Sequence, residues 1–262
     1  DHLVPRANYF DVTRWFDGDF DTDQWIFVKI FAIFAAILAV VSTIIIIGPL
    51  VSQSGPAFSS RNIVNLFYFF CLGAGFILIE VALIRKFGLI LGHPSYSIAI
   101  VLAALILSTG LGSLATRRLF EVHGLTEARA SLLVVLYVLA ALAGYHLLVE
   151  QLIALPIPVK AAIVVCALLP LGFLMGQLFP QGLTRVAKED SRLVPWAWAI
   201  NGTASTVGVG VADLLSHPLG FNVVLYLGTA FYAAIFLLSC YALPQQRPHP
   251  GMKELGLPGA AS

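Results

Sequence analysis

The sequence predicts an all-α integral membrane protein, built as a bundle of about seven transmembrane helices. Apolar residues make up 59% of the 262 residues and charged residues only 11%, whereas a soluble domain has about 25% charged residues. The apolar residues form seven continuous runs, each close to the roughly 20 residues that a membrane-spanning helix needs. The runs lack the period-two alternation of a transmembrane barrel, so helices are the expected form.

The seven runs are separated by short connections that carry most of the polar and proline residues. The runs cover Ile26–Leu50, Ile63–Ile84, Tyr96–Leu114, Ala130–Val149, Ala161–Phe179, Trp196–Leu215 and Phe221–Leu243. Prolines at run boundaries are typical of helix starts and stops, and Pro180 is expected to end the fifth helix.

The chain divides into three parts by composition. Residues 1–24 are rich in Asp and aromatic residues and are expected to form an extramembrane segment near the lipid headgroups. Residues 25–243 hold the seven-helix transmembrane domain. Residues 244–262 are rich in Pro and Gly and are expected to be a disordered tail.

The basic residues predict an orientation. Six Lys and Arg fall on the side of the predicted N-terminus and nine on the opposite side, so the positive-inside rule favours a cytoplasmic C-terminus. The net charge is +1 and no basic tract is present, which argues against nucleic acid as a partner. The expected partners are the lipid bilayer and other transmembrane subunits.

Five residues form a candidate intramembrane polar site: Glu80, Arg85, His93, Asn201 and Asp213. Glu80 is the most informative, because a carboxylate inside hydrocarbon costs roughly 2.5–3.5 kcal/mol on insertion scales and needs a partner or a purpose. In one interpretation it reaches the membrane interface or pairs with Arg85, Lys86 or a neighbouring helix. In the other it is a proton or cation site within the bundle.

Small residues indicate close helix packing. Gly172 and Gly176 form a GxxxG pattern in the fifth run, and Gly202 and Gly208 lie on one face of the sixth. Such residues let helix backbones approach closely in lipid, so the sixth helix is expected at the centre of the bundle. Alternatively, its polar residues line a path: Asn201, Ser205, Thr206 and Asp213.

The motifs of soluble enzymes are absent from the sequence. It has no P-loop, no HExxH, no GxSxG and no complete dinucleotide-binding glycine motif after a strand. His93 has no second histidine at metal-ligand spacing. We therefore expect no catalytic residue, no metal and no cofactor in this chain.

Three blocks resemble the membrane region of bacterial spermidine-synthase-like integral membrane proteins. They are Gly73–Pro94, Pro170–Gly176 followed by Phe179-Pro180, and Pro195–Gly202. The resemblance implies a multi-pass protein of the bacterial cytoplasmic membrane. Longer members of that family carry an aminopropyltransferase-like domain before such helices, and the glycine loop of that domain has no counterpart here.

Three functions follow as hypotheses. The first is a non-catalytic scaffold or anchor, either an accessory subunit of a larger membrane complex or the membrane half of a spermidine-synthase-like protein. The second is a transporter of a small solute or a proton-coupled carrier, suggested by the candidate polar site. The third is the membrane part of an aminopropyltransferase-like enzyme whose catalytic domain lies upstream.

Overall fold

The computed structural model describes residues 22–42, 44 and 59–243, and within residues 59–243 the helices are joined by short connections. The α-helices are α1 (Thr22–Ser42), α2 (Ser60–Leu91), α3 (Pro94–His123), α4 (Glu127–Ile153), α5 (Ile157–Glu189), α6 (Val194–Leu219) and α7 (Phe221–Leu237). A short 3₁₀ turn, Ser191–Leu193, precedes α6, and a π-helical segment, Leu238–Ala242, extends α7. No strand occurs in this part of the chain, which confirms the all-α class for it.

Five of the helices are long and apolar enough to cross a membrane. They are α2, α3 and α5 over their full lengths, Glu127–Tyr145 of α4, and Phe221–Ala242. In α1 the apolar stretch is the shorter Ala32–Ser42. Helix α6 is not among the five, and its many glycine and hydroxyl residues lower its hydropathy. Length and composition thus support a multi-pass membrane protein with five such helices in the described part of the chain, and the expected number of seven spans stays a prediction.

Some predictions concern residues outside the described part. Residues 1–21 of the predicted extramembrane segment, residues 45–50 of the first run and the predicted tail, 244–262, all lie there. The last three residues of the predicted segment belong to α1, which begins at Thr22.

Helix α5 does not end at Pro180, so the predicted boundary at Phe179 is wrong. The helix continues to Glu189 with Pro170 and Pro180 inside it. Proline is tolerated in a membrane helix where neighbouring helices and hydroxyl side chains support the interrupted backbone. One turn past the second proline, the Thr184 hydroxyl donates to the carbonyl oxygen of Pro180 at 2.8 Å. The longer helix places Arg185 inside the bundle instead of in a loop.

Capping residues set the sharp turns between helices. Gly92, in the left-handed conformation at φ 78°, ends α2. His93 then caps α3, accepting a hydrogen bond from the Ser95 backbone N–H at 3.2 Å, and Pro94 occupies the first turn. The Thr126 side chain accepts from the Arg129 N–H at 3.4 Å and caps α4.

Helix α2 is the centre of the bundle. In its most apolar stretch 67% of the residues are buried, against 22–39% in the other four candidate spans. It packs against α3, α5, α6 and α7, while α6 also contacts α1. The small residues of α6 predicted that it would lie at the centre, and the structure places α2 there instead.

From α2 to α7, successive helices reverse direction, because the connections between them are short. The bundle therefore has two ends. The end that holds the C-terminus of α2 and the N-terminus of α7 is called the Lys86 end. The opposite end holds the C-terminus of α5 and the N-terminus of α4, and is called the Arg185 end.

Candidate functional site

Two members of the predicted polar site meet at the Lys86 end. The Arg85 guanidinium on α2 donates to a carboxylate oxygen of Asp213 on α6 at 3.2 Å. The Arg85 side chain is 52% exposed and that of Asp213 is 23% exposed. This ion pair joins two parallel helices at the edge of the bundle.

Lys86 points to the other side of α2. Its ammonium donates to the side-chain oxygen of Asn222, near the start of α7, and lies 4.0 Å from the ring centroid of Tyr145 on α4. Neither Arg85 nor Lys86 forms an ion pair with Glu80 in the described part of the chain. The interpretation that Glu80 pairs with its basic neighbours is therefore wrong for these residues.

Glu80 is buried, and the described residues offer its carboxylate no partner. Its side chain lies on α2 with the residue only 7% exposed. Among the described residues, no hydrogen bond or ion pair to its carboxylate is present. A buried carboxylate with no partner is costly, so Glu80 remains a candidate for chemistry, although no hydrogen bond or ion pair in the described part of the chain joins it to the other members of the predicted site.

His93 has a local role. It is exposed, caps α3, and its ring lies 5.6 Å from the ring of Tyr96. Among the described residues, no group of three His, Cys, Asp or Glu side chains could hold a metal ion.

Asn201 and Ser205 bind α6 to the backbone of α2. The Asn201 side-chain nitrogen donates to the carbonyl oxygen of Phe69 at 3.2 Å, and the Ser205 hydroxyl donates to that of Gly73 at 3.2 Å. A Cβ built on Gly73 would overlap the Asn201 carbonyl oxygen. The two helices can approach this closely only because residue 73 is glycine. We call these contacts the α2–α6 clasp.

Thr206, which the polar-path hypothesis also included, bonds within its own helix. Its hydroxyl donates to the carbonyl oxygen of Gly202 at 2.9 Å. Of the residues in the hypothetical polar path, Asn201 and Ser205 are the two that form the clasp with α2.

The four glycines predicted to pack helices differ in their surroundings. A Cβ on Gly172 or Gly176 would overlap the Ser108 hydroxyl or the Thr109 carbonyl oxygen of α3, so both glycines lie at a close α3–α5 crossing. A Cβ on Gly208 would overlap the Ile77 side chain of α2. Nothing lies within 4 Å of the position for Gly202, so no close approach in the described structure depends on it.

A cavity of about 380 Å³ lies beside the clasp, between α2, α3, α5 and α6. Asn201, Ser205, Thr109 and Trp198 are part of its wall. Tyr232 of α7 also lines it, and the Tyr232 hydroxyl is buried with no hydrogen-bond partner in the described structure. The cavity therefore offers neutral hydrogen-bonding groups and no charged side chain in its wall.

A second polar cluster, at the Arg185 end, was missed by the sequence analysis. Arg185 of α5 is buried and forms an ion pair with Glu127, the first residue of α4. Its Nε donates to the Asn65 side-chain oxygen on α2 at 3.4 Å, and its guanidinium lies 4.7 Å from the ring centroid of Tyr68. The Asn65 nitrogen donates in turn to Glu189 at 3.1 Å. The cluster ties together α2, α4 and α5.

Two atoms of this cluster lack a partner in the described structure. They are Nη2 of Arg185 and Oε1 of Glu127, both buried. One signal in the sequence could have revealed the cluster: Gln177, Gln181 and Arg185 recur every four residues and share one helix face. That face was overlooked because Pro180 suggested a helix end.

The junction of α5 and α6 holds an exposed ion pair. Arg192 donates from its guanidinium to both carboxylate oxygens of Asp190, at 3.0 and 3.1 Å. These hydrogen bonds, together with the one from the Arg192 backbone N–H, hold the pKa of Asp190 below its ordinary value. Asp190 thereby stays ionised and caps the 3₁₀ turn.

No family model, curated protein or solved structure matches this chain. The resemblance to spermidine-synthase-like membrane proteins therefore rests on the three sequence blocks alone.

Proposed function

We propose that this chain is a non-catalytic membrane module of seven transmembrane helices that acts as a scaffold or anchor in a larger membrane assembly. The observation that most supports this proposal is that its intramembrane polar side chains bond one helix to another. Asn201 and Ser205 bond to the backbone of α2, and Arg85 pairs with Asp213. Groups engaged in this way hold helices together and are not free to meet a substrate.

The buried pair at the Arg185 end supports the same proposal. Arg185 and Glu127 join the consecutive helices α4 and α5, and the Asn65 contact ties both to the central helix α2. Polar residues inside membrane bundles commonly serve as such interhelical bonds. In this proposal α1 and α6 complete the seven spans. Helix α6 is bonded along its length to the central helix, and α1 packs against α6.

The three blocks of the family resemblance are neighbours in the fold, which supports treating them as one unit. Gly73 lies against Asn201, and the rings of Phe179 and Trp198 are 4.5 Å apart. We therefore propose that the module is the membrane half of a spermidine-synthase-like protein or an accessory subunit related to it, in the bacterial cytoplasmic membrane with its C-terminus in the cytoplasm. Any aminopropyltransferase chemistry would then belong to another domain.

The size of the assembly in membranes tests this proposal. The full chain, tagged and extracted in a mild detergent, should migrate on native gels with a mass well above that of one chain. Substituting Asn201 with Leu should reduce both the amount of folded chain and the assembly. A chain that runs alone and catalyses solute uptake after reconstitution would contradict the proposal.

A second candidate function, transport of a small neutral solute, has one observation in its favour. The cavity beside the clasp holds Asn201, Ser205 and the unpartnered Tyr232 hydroxyl in its wall. Tyr232→Phe tests it, since this change removes only the hydroxyl. Solute uptake into vesicles should fall in the variant, with stability unchanged, if this function is correct. Equal uptake by both proteins would rule it out.

A further inference from the structure

A second cavity lies where α2, α4, α5 and α7 meet at the Lys86 end. Its volume is about 300 Å³, at the lower end of the range of small-ligand pockets. Its wall is almost entirely apolar, with Leu83, Val138, Leu168, Leu171 and Leu225 among the lining residues. We call it the Lys86 cavity, because that lysine contributes the charge in its wall.

The Lys86 ammonium is the feature that selects a ligand. Lys86 is only 7% exposed, and its hydrogen-bond partner, Asn222, is neutral. Tyr145 offers a ring face at 4.0 Å, which is also uncharged. Among the described residues no carboxylate pairs with Lys86, so the positive charge is not neutralised there. An apolar chamber with one such cation favours a ligand that has an apolar body and an anionic head.

The cavity opens to the side of the bundle, between α4 and α5. Four residues of its wall are exposed at that surface: Ala140, Ala141, Ile163 and Ala167. Three of them are alanines, which leave space between the helices. In a membrane-spanning bundle this opening faces lipid, so a chain of a bilayer lipid can enter without crossing water.

The remaining polar groups of the wall make no strong demand on a ligand. The Tyr137 hydroxyl donates to the carbonyl oxygen of Ala167, so its proton is already engaged.

Asn222 is the second residue of α7, so its contact places the Lys86 ammonium near the N-terminal end of that helix. This is the level at which a lipid headgroup would lie when the chain enters beside α4 and α5.

We propose that the Lys86 cavity binds one acyl chain of an anionic phospholipid whose headgroup contacts the Lys86 ammonium. The anionic headgroup supplies the counter-charge that the described protein groups do not, and the acyl chain fills the apolar chamber. A zwitterionic phospholipid with the same chains carries no net charge to neutralise Lys86. The proposal concerns a ligand and does not depend on the scaffold function.

Lipid titrations of the full chain in a neutral detergent test the proposal. The probes are phosphatidylglycerol and phosphatidylcholine with identical oleoyl chains, and free oleate. Native mass spectrometry counts the bound molecules and thermal unfolding reports their effect. Phosphatidylglycerol should bind about tenfold more tightly than phosphatidylcholine, a difference the size of one charge-assisted hydrogen bond.

Two variants and one control locate the site. Lys86→Met should remove the preference for phosphatidylglycerol. Lys160→Met, which removes another lysine from the same end but not from the cavity wall, should retain it. Ala141→Phe should weaken the binding of both phospholipids by filling the opening while leaving Lys86 in place, so it also serves if Lys86→Met fails to fold.

Three results would overturn the proposal. One is an unchanged lipid preference in Lys86→Met. Another is unchanged binding of both phospholipids in Ala141→Phe. The third is oleate binding as tightly as phosphatidylglycerol and competing with it, because the occupant would then be a free fatty acid rather than a bilayer lipid.

Discussion

Asn201 on α6 donates a hydrogen bond from its side-chain nitrogen to the carbonyl oxygen of Phe69 on α2, over 3.2 Å. One turn further along, Ser205 makes the equivalent bond to the carbonyl oxygen of Gly73. The spacing of four residues on both helices shows that α2 and α6 run parallel and in register. Polar residues that resembled a solute path in the sequence thus lie at a helix–helix contact.

The first prediction concerns Gly73. Gly73→Ala should destabilise the chain by about 1–3 kcal/mol, because its Cβ would overlap the backbone of α6 and force the helices apart. Gly202→Ala is the matched control, since its Cβ meets no atom within 4 Å. The control should be unchanged or up to about 1 kcal/mol more stable. Unfolding by a denaturing detergent, monitored by circular dichroism, measures both. Equal effects of the two substitutions would contradict the close contact.

The second prediction concerns the buried pair of Arg185 and Glu127. Arg185→Met should cost about 3–5 kcal/mol, because it leaves a buried carboxylate without its cation. Adding Glu127→Met should recover part of that loss, so the double variant should be more stable than the sum of the single effects implies.

An exposed ion pair at the same end of the bundle provides the control for these Arg185 and Glu127 variants. Arg117 and Glu121 pair at 3.0 Å within α3, with the Arg117 side chain 84% exposed. Arg117→Met should change stability by about 0–1 kcal/mol. Additive effects of Arg185→Met and Glu127→Met would show that the two side chains are not coupled.

The third prediction concerns Glu80. Glu80→Gln should leave stability unchanged or raise it, because the amide keeps the shape of the side chain and removes a buried charge that has no partner among the described residues. The same detergent unfolding measurement applies. A loss of more than about 1 kcal/mol would reveal a bond that the carboxylate makes and the amide cannot replace.

Sequence patterns predicted where the helices lie in the chain, but they did not predict which helices pack against each other. Each of the seven apolar runs overlaps one described helix, the first as far as Ser42, because uninterrupted apolar stretches of this length form helices. The predicted end of α5 at Phe179 was wrong, because proline stops helices in water more strictly than within a membrane bundle. That error hid the polar face of Gln177, Gln181 and Arg185.

The bonding partners of the polar side chains could not be predicted from the sequence. Arg85 and Lys86 adjoin each other and follow Glu80 by about one and a half turns, so sequence proximity suggested that they pair with it. Because adjacent helix positions differ by about 100° in direction, Arg85 instead reaches Asp213 on α6 and Lys86 reaches Asn222 on α7. Which helix occupies which face of α2 is a property of the bundle that no single run encodes.

The central claim is that the intramembrane polar residues hold the bundle together, and Asn201→Leu tests it most directly. Leu has the same number of side-chain heavy atoms as Asn, with the same branching, but cannot donate to Phe69. Equilibrium unfolding of the full chain in mixed micelles should show a loss of about 1–2 kcal/mol, the size of an interhelical hydrogen bond in lipid. Full stability in Asn201→Leu, together with loss of solute flux in reconstituted vesicles, would contradict the claim.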